Sequence, residues 1–377
     1  MPETLEGELM IPNRSWILPF AVLVLMTSAC ASEAPDNPFQ SQSLAEFDEP
    51  WAMAFLPDGR LLVTEKAGRL LIVSTVNGSS VVVNGVPDVD YGGQGGFGDV
   101  ALHPGFAENQ QIYLSFVEAG EDDTRGAVVI RATLDLTEGS ELISNPAVIW
   151  RQDPKVTGKG HYGHRLLFSD DGHLFISSGD RQKFDPAQDM DGNLGKILRL
   201  NDDGTVPDDN PFAERGGVSA EIWSLGHRNP LGIAFDAQGQ LWNVEMGPRG
   251  GDELNRVLRG ANYGYPIVSN GRHYSGKDIP DHDTRPEFEA PKAWWTPVIS
   301  PGGFIVYSGE QFPDWQGDGL IAGLSSQALV RIEFDGENAS EAERYPMGNR
   351  MRAVTEGPEG AIWMLEDGGR LLKLTPK

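Results

Sequence analysis

One short unit recurs along this chain: an apolar strand, a turn built on Asp-Gly or its equivalent, then a second, alternating strand. It reads "WAMAFLPDGRLLVTEKAGRLLIV" from Trp51, "DVALHPGFAENQQIYLSF" from Asp99 and "RLLFSDDGHLFISSGD" from Arg165. It returns as "LGIAFDAQGQLWNVEMG" from Leu231 and "AVTEGPEGAIWMLEDGGRLLKLTP" from Ala353, with a looser copy, "GGFIVYSGEQFPDWQGDGLIAGLSSQALVRIEFD", from Gly302. A further strand often follows the hairpin, as in "KILRLNDDG" and "ALVRIEFDG". A sheet of three or four strands cannot bury both of its faces alone, so six such units must stack on one another around an axis. The sequence therefore predicts an all-β, six-bladed β-propeller. A β-sandwich or two separate β domains would be the competing arrangements. Six similar hairpins with no Pro/Ser-rich linker after residue 50 favour a single ring over residues 41–377.

Composition supports a turn-rich β fold: 46 glycines, 26 prolines, and no long stretch of helical periodicity after residue 45. The net charge of -25 repels nucleic-acid phosphates and anionic lipid surfaces, so neither is expected as a partner. The single cysteine, Cys30, excludes an internal disulfide. It ends the run "WILPFAVLVLMTSAC", which follows Arg14 and has the layout of a secretory leader. The run is short for a membrane span. Cys30 after "TSA" resembles a lipoprotein processing site, with Thr27 where leucine is usual; cleavage near Ala31 is the alternative. Met10 offers a more usual start than the acidic "MPETLEGEL". Residues 1–40 are thus read as leader and short linker. The mature chain is expected in the periplasm or cell envelope, soluble or tethered by lipid at Cys30.

The segments that differ between copies carry the chemistry. Loops 180–195, 247–266 and 269–291 are rich in Gly, Asp, Arg, Tyr and His, and are expected at one end of the ring. Gln94 sits among glycines in "GGQGGFGDVALHP". Arg350 and Arg352, two apart, share one face of a strand and suit a carboxylate or phosphate. Asp252 and Glu253 offer hard oxygen ligands of the kind Ca²⁺ takes, without EF-hand spacing. No zinc pattern, phosphate loop or nucleophile elbow is present. The residues alone leave His161 and His164 of "GKGHYGH" open as loop residues, metal ligands or a base.

The ordered set "GGQGGFGDVALHPGF", "GHYGHRLLFSDDGHLFISSGD", "GKILRLNDDGTVPDDNPF", "EIWSLGHRNPLGIAF", "EMGPRGGDELN", "GANYGYP" and "RMRAVTEGPEG" resembles the soluble PQQ-dependent glucose and aldose sugar dehydrogenases over residues 45–377. The resemblance implies a six-bladed propeller, pyrroloquinoline quinone (PQQ) and Ca²⁺. It implies His161 as general base, and Arg228 as the cation that stabilises charge on the quinone oxygen. It gives PQQ contacts to Gln94, Arg228, Asn229, Tyr274, Ser275, Gly276, Leu324, Arg350 and Arg352. Carbonyls of Gly247 and Pro248 would hold the active-site calcium, and Glu253 with the Tyr263 carbonyl a structural one. Glucose-oxidising members carry a lysine where this chain has Ser325, and Lys277 is the expected substitute. His164 stands where the family has glycine; it reads as an exposed loop or strand-edge histidine, with a wall of the sugar pocket as the alternative. His103 and His173 read as structural residues of the repeat turns, and His227 as a residue that orients Arg228.

The implied reaction is oxidation of an aldose at its anomeric carbon to a lactone, with PQQ as hydride acceptor and electrons leaving to a separate carrier, since no haem-attachment motif is present. A calcium-dependent propeller lactonase and a non-catalytic propeller module are the alternatives.

Overall fold

Each hairpin unit forms the first two strands of an antiparallel sheet, and six sheets follow one another along the chain. The computed structural model describes residues 37–377. The leader, Met10, Cys30 and the site near Ala31 lie outside the described residues. Blade 1 comprises Pro50–Phe55, Leu61–Glu65, Arg69–Val73 and Ser80–Val82. Blade 2 runs Phe97–Leu102, Gln111–Ala119 and Thr124–Asp135, whose far edge takes both Leu142–Arg151 and Val156–Thr157. Blade 3 is Gly163–Phe168, Leu174–Ser178, Lys196–Leu200 and Ile222–Leu225. Blade 4 is Pro230–Phe235, Leu241–Glu245, Asp252–Arg256 and Ala293–Trp295. Blade 5 is Pro301–Val306, Gly319–Gly323, Ala328–Asp335 and Asn338–Pro346. Blade 6 is Met351–Glu356, Ile362–Glu366 and Arg370–Pro376, completed by Phe39–Glu46 from the other end of the described chain. The fold is the six-bladed β-propeller that the repeats predict. The closing strand begins at Phe39, so a boundary at 40/41 cuts into it.

Alternation along the second strand of each blade holds the ring together. Leu61 and Val63 pack with Trp363 and Leu365 of blade 6, while Leu62 between them packs with Leu114 of blade 2. The same two-sided burial repeats around the ring, for example Phe175 against Ile233 of blade 4 and Ile176 against Tyr113 of blade 2. These strands have no solvent face: all five residues of "LLVTE" and of "LFISS" are buried.

A second regularity sets up the axis. The innermost strand of every blade loses register with its neighbour near its start: at Pro50/Ala52, Phe97/Val100, Gly163/Leu166, Pro230/Gly232, Pro301/Gly303 and Met351/Ala353. Such bulges re-aim side chains and free backbone groups. Arg165 uses them. Its Nε donates to Leu231 O at 2.8 Å and its Nη2 to Gly302 O at 2.5 Å. Its Nη1 stands 3.3 Å from Asp99 Oδ1, and its guanidinium lies 3.8 Å from the Trp51 ring centroid. One buried cation thus joins the inner ends of blades 1, 2, 4 and 5 to blade 3.

The loops that precede each inner strand and those that follow each second strand emerge at the same end of an antiparallel blade. Gln94, His161, Arg228 and Arg350 lie on the first kind, and Lys66, Asp180 and Gly247 on the second. The insert 269–291 joins the third and fourth strands of blade 4, a connection that starts at the opposite end. It reaches back by pairing Arg272 with Arg249, each backbone N–H bonding the other's carbonyl.

Candidate active site

The loop 158–162 brings His161 to the ring's functional end with a left-handed backbone (φ 51°). Its carbonyl packs on Gly179, where an added Cβ would lie 2.1 Å from His161 O, so glycine is required there. The imidazole is 6% exposed, and its Nδ1 lies 2.7 Å from Asp180 Oδ1. Asp180 Oδ1 also accepts the Gln182 N–H at 2.9 Å, and Oδ2 accepts Phe184 N–H at 3.3 Å. A carboxylate held by donors assigns the proton to Nδ1 and leaves the lone pair on Nε2. Burial pushes the imidazole below its usual value; the Asp180 bond opposes this, and the Arg228 charge adds to the depression. Sequence reading missed Asp180. Its only signal was its place at the end of "FISSGD", directly after a blade strand.

Around His161 the structure gathers most of the residues named from sequence. His161, Gln94, Arg228, Gly247, Pro248, Tyr274 and Gly276 line one cleft of about 620 Å³. Gln94 Oε1 accepts the His161 N–H at 2.8 Å. Ser275 joins His161, Arg228, Pro248 and Tyr274 at a smaller recess of about 200 Å³, walled by Phe184 and Tyr265. Gln94 also borders an inner cavity of about 230 Å³ on the axis, which Asn229, Leu324, Arg350 and Arg352 line. Arg350 and Arg352 share one carboxylate, Asp367. Lys66 lines this cavity too, and sequence reading did not select it. The expected substitute is corrected: Lys277 is exposed and lines none of these three spaces, and exposed Ser325 turns its Oγ to Val298 O at 3.1 Å.

Several polar atoms here have no partner of their own. Arg228 Nε, Asn229 Oδ1 and the Tyr265 hydroxyl are buried and unsatisfied. Buried polar atoms of this kind call for a polar ligand. With three cationic side chains and no carboxylate lining the inner cavity, the residues fit a flat polycarboxylate such as PQQ. The Gly247 carbonyl accepts from Arg228 Nη1, which also donates to Met246 O at 2.7 Å. Both carbonyls thus face the Arg228 cation. Asp252 anchors the segment: its Oδ1 accepts Gly247 N–H at 2.9 Å and its Oδ2 Ser300 N–H at 2.6 Å, and burial raises its carboxyl to about 6. Among the described residues, no three His, Cys, Asp or Glu side chains form a metal cage, so carbonyls would have to carry any ion here.

Glu253 and Tyr263 lie apart from the cleft, in a buried polar cluster in blade 4. His227 Nδ1 stands 2.9 Å from Glu245 Oε1, and the Arg228 N–H donates to Glu245 Oε2 at 2.6 Å. His227 and the Arg228 backbone thus share one glutamate. Tyr263 stacks on His227 with centroids 4.6 Å apart. Burial raises the Glu253 carboxyl, and the Glu245 charge adds to this. Asn243 Oδ1 and Asn255 Oδ1 are orphaned acceptors, and His282 Nε2 stands 3.4 Å from Glu253 Oε1 without a hydrogen bond. Unsatisfied oxygens beside a buried carboxyl suit a hard cation.

His164 departs from the exposed residue expected. It is 1% exposed, lies 4.9 Å from the Trp51 ring, and its Nδ1 is 3.1 Å from Ser115 Oγ. Gly98 makes the room: a Cβ there would fall 2.0 Å from the imidazole. Burial depresses its pKa to about 3, so it stays neutral, and it borders the inner cavity. His103 and His173 sit in blade turns, His103 accepting the Gly105 N–H at 2.8 Å and His173 contacting Arg199 at 3.2 Å.

Comparison with known proteins sets this geometry in context. The sequence model of the family described as Glucose / Sorbosone dehydrogenase matches residues 47–373. Aldose sugar dehydrogenase YliI of Escherichia coli (strain K12) is 37% identical over 366 residues, covering 95% of this chain and 98% of its own. Quinoprotein glucose dehydrogenase B of Acinetobacter calcoaceticus is 26% identical over 431 residues, covering 92% and 89%. Among solved structures, the apo form of the soluble aldose sugar dehydrogenase from Escherichia coli superposes with a TM-score of 0.84 at 38% identity, covering 90% of this chain and 100% of that one. The PQQ-bound form of aldose sugar dehydrogenase from Streptomyces coelicolor gives 0.76 at 28% identity, covering 91% and 100%.

Proposed function

The chain belongs to the glucose/sorbosone dehydrogenase family and is an oxidoreductase, and on that premise we propose that it oxidises aldoses at the anomeric carbon to lactones, with PQQ and Ca²⁺. The observation that carries the reading is the His161–Asp180 pair facing Arg228 across a cleft that opens onto a cation-lined cavity. When bound, PQQ would supply a quinone able to accept a hydride, and Ca²⁺, which the Gly247 and Pro248 carbonyls would hold, would supply Lewis-acid polarisation.

The chain's own residues do the rest. His161 Nε2 accepts the proton of the anomeric hydroxyl as the C1 hydride departs, leaving the C1 carbonyl of the lactone. Asp180 holds the ring in the tautomer this needs and stabilises the imidazolium formed. Arg228 stabilises negative charge that develops opposite. Its fixed bond to Glu245 through the backbone N–H limits its movement. Arg350, Arg352, Asn229 and Gln94 orient the cofactor, and Phe184, Tyr265 and Tyr274 flank the sugar's side. Glu253 and the Tyr263 carbonyl would hold a second, structural Ca²⁺. The leader layout supports export to the periplasm or envelope, with a separate carrier taking the electrons.

The test is direct. Apo-protein is loaded with PQQ and Ca²⁺, and dye reduction is followed with a panel of aldoses. Sugar-dependent bleaching is expected, and its loss with chelator. No bleaching with any aldose overturns the reading, and lactone hydrolysis without PQQ would replace it with a lactonase.

A further inference from the structure

Lys66 directly follows the second strand of blade 1. The register makes it the counterpart of Met246 in blade 4, Leu324 in blade 5 and Asp367 in blade 6. Glu65, Glu245, Gly323 and Glu366, which precede them, each pair with the first residue of their blade's inner strand. Met246 and Leu324 line the same inner cavity as Lys66, and Asp367 holds the two arginines that line it. The repeat itself aims this ring of positions at the axis. A lysine here is therefore a different object from a mobile surface lysine.

Its surroundings leave it short of partners. The side chain is 14% exposed. The ammonium stands 3.2 Å from Glu49 Oε1, 3.1 Å from Gly93 O and 5.5 Å from the Tyr91 ring centroid, which makes two hydrogen bonds for a group with three donors. Glu49 is itself divided, since the Tyr91 hydroxyl donates to its other oxygen. Lys66, Arg350 and Arg352 are the cations of the cavity lining, and the carboxylates that touch them are Glu49 and Asp367. One positive charge is left uncompensated, in a chain whose net charge is -25. An anion in the cavity would balance it.

We infer that Lys66 is a third cationic anchor for the carboxylates of the cofactor. It supplies from blade 1 a charge that the blade 5 loop, with the exposed Ser325, does not. The inference rests on the proposed cofactor. It predicts that this chain grips PQQ from two adjacent blades, 1 and 6, at once.

The test is equilibrium binding of PQQ to the Ca²⁺-loaded apo-protein, read by quenching of tryptophan fluorescence. Loss of a hydrogen bond between charged groups should weaken binding about ten- to a hundredfold in Lys66→Met and Lys66→Gln. Lys66→Arg should recover most of the loss. The trimethyl ester of PQQ, which lacks the charges, should bind the unaltered protein and both neutral variants alike. A purely structural lysine would instead change the melting temperature of the apo-protein and affect PQQ and its ester equally. PQQ binding that survives both neutral substitutions unchanged, or an equal loss for the ester, overturns the inference alone. No PQQ binding by the unaltered protein overturns the cofactor assignment and the inference with it.

Discussion

Asp180→Asn separates the charge of the buried carboxylate from its shape. In the structure Oδ1 receives two donors, His161 Nδ1 at 2.7 Å and Gln182 N–H at 2.9 Å, while Oδ2 receives one, Phe184 N–H at 3.3 Å. An asparagine oxygen should therefore stay at the Oδ1 position, and its amide nitrogen should displace only the long bond to Phe184. The imidazole tautomer survives, and so does the fold. The negative charge does not. A hydrogen bond to a charged group contributes about 1.5–3 kcal/mol and a neutral one about 0.5–1.5 kcal/mol, so the imidazolium loses on the order of 1–1.5 kcal/mol. That is about one pH unit and about tenfold in rate. Asp180 raises the His161 pKa against burial and Arg228, so its loss lowers that pKa further. The base form then persists to lower pH, and the acid limb of the pH–rate profile moves down. The assay is kcat against pH with a saturating aldose, beside PQQ affinity on the same preparation. The expected result is a kcat about tenfold lower, an acid limb about one unit lower, and unchanged PQQ affinity. If the amide rotates and reverses the tautomer, the loss reaches about 10⁴-fold. An unaltered kcat, or an acid limb that moves up, refutes the His161–Asp180 dyad.

Other consequences follow from particular contacts. Gly98→Ala would place a methyl 2.0 Å from the His164 ring and should cost about 1–3 kcal/mol in denaturant unfolding; adding His164→Gly should restore most of it, and additive losses would refute the pairing. His164, with its folded pKa at about 3 against an unfolded value near 6.5, adds stability that is complete above about pH 6.5 and is lost as pH falls toward 3, on the order of 5 kcal/mol in all. Urea midpoints between pH 7 and 4 should therefore fall less steeply in His164→Gln than in the parent. Phe39→Ala empties the closing strand's contact with Trp315 and Tyr345 and should lower stability by about 3–5 kcal/mol in denaturant unfolding, since it unfastens the blade that closes the ring.

The fold was legible because it is periodic. Six hairpins need only local pattern to be seen, and the structure turns each into the first two strands of a blade. The residues that meet around His161 were named through a family resemblance, because "HYGHRL", the Arg-Asn pair and the paired arginines are short motifs whose residues are adjacent in sequence. What failed were judgements of environment. His164 looked exposed because it sits in a glycine-rich loop, yet Gly98 and Trp51, far away in sequence, make the pocket that buries it. Lys277 looked like a replacement cation because its loop carries Tyr274, but it stays in solvent.

The sequence by itself determined the number of blades, the positions of their turns and the residues able to do acid–base and anion-binding chemistry. Only the tertiary structure decided which of them meet. The cause is the bulge at the start of each inner strand, which bends six separate segments onto one axis and gives Arg165 its carbonyls. It is also the closure of the ring, which sets Lys66 of blade 1 beside Arg350 and Arg352, nearly 300 residues later. Local pattern carries no record of that distance. It exists only once Phe39–Glu46 has paired with Arg370–Pro376.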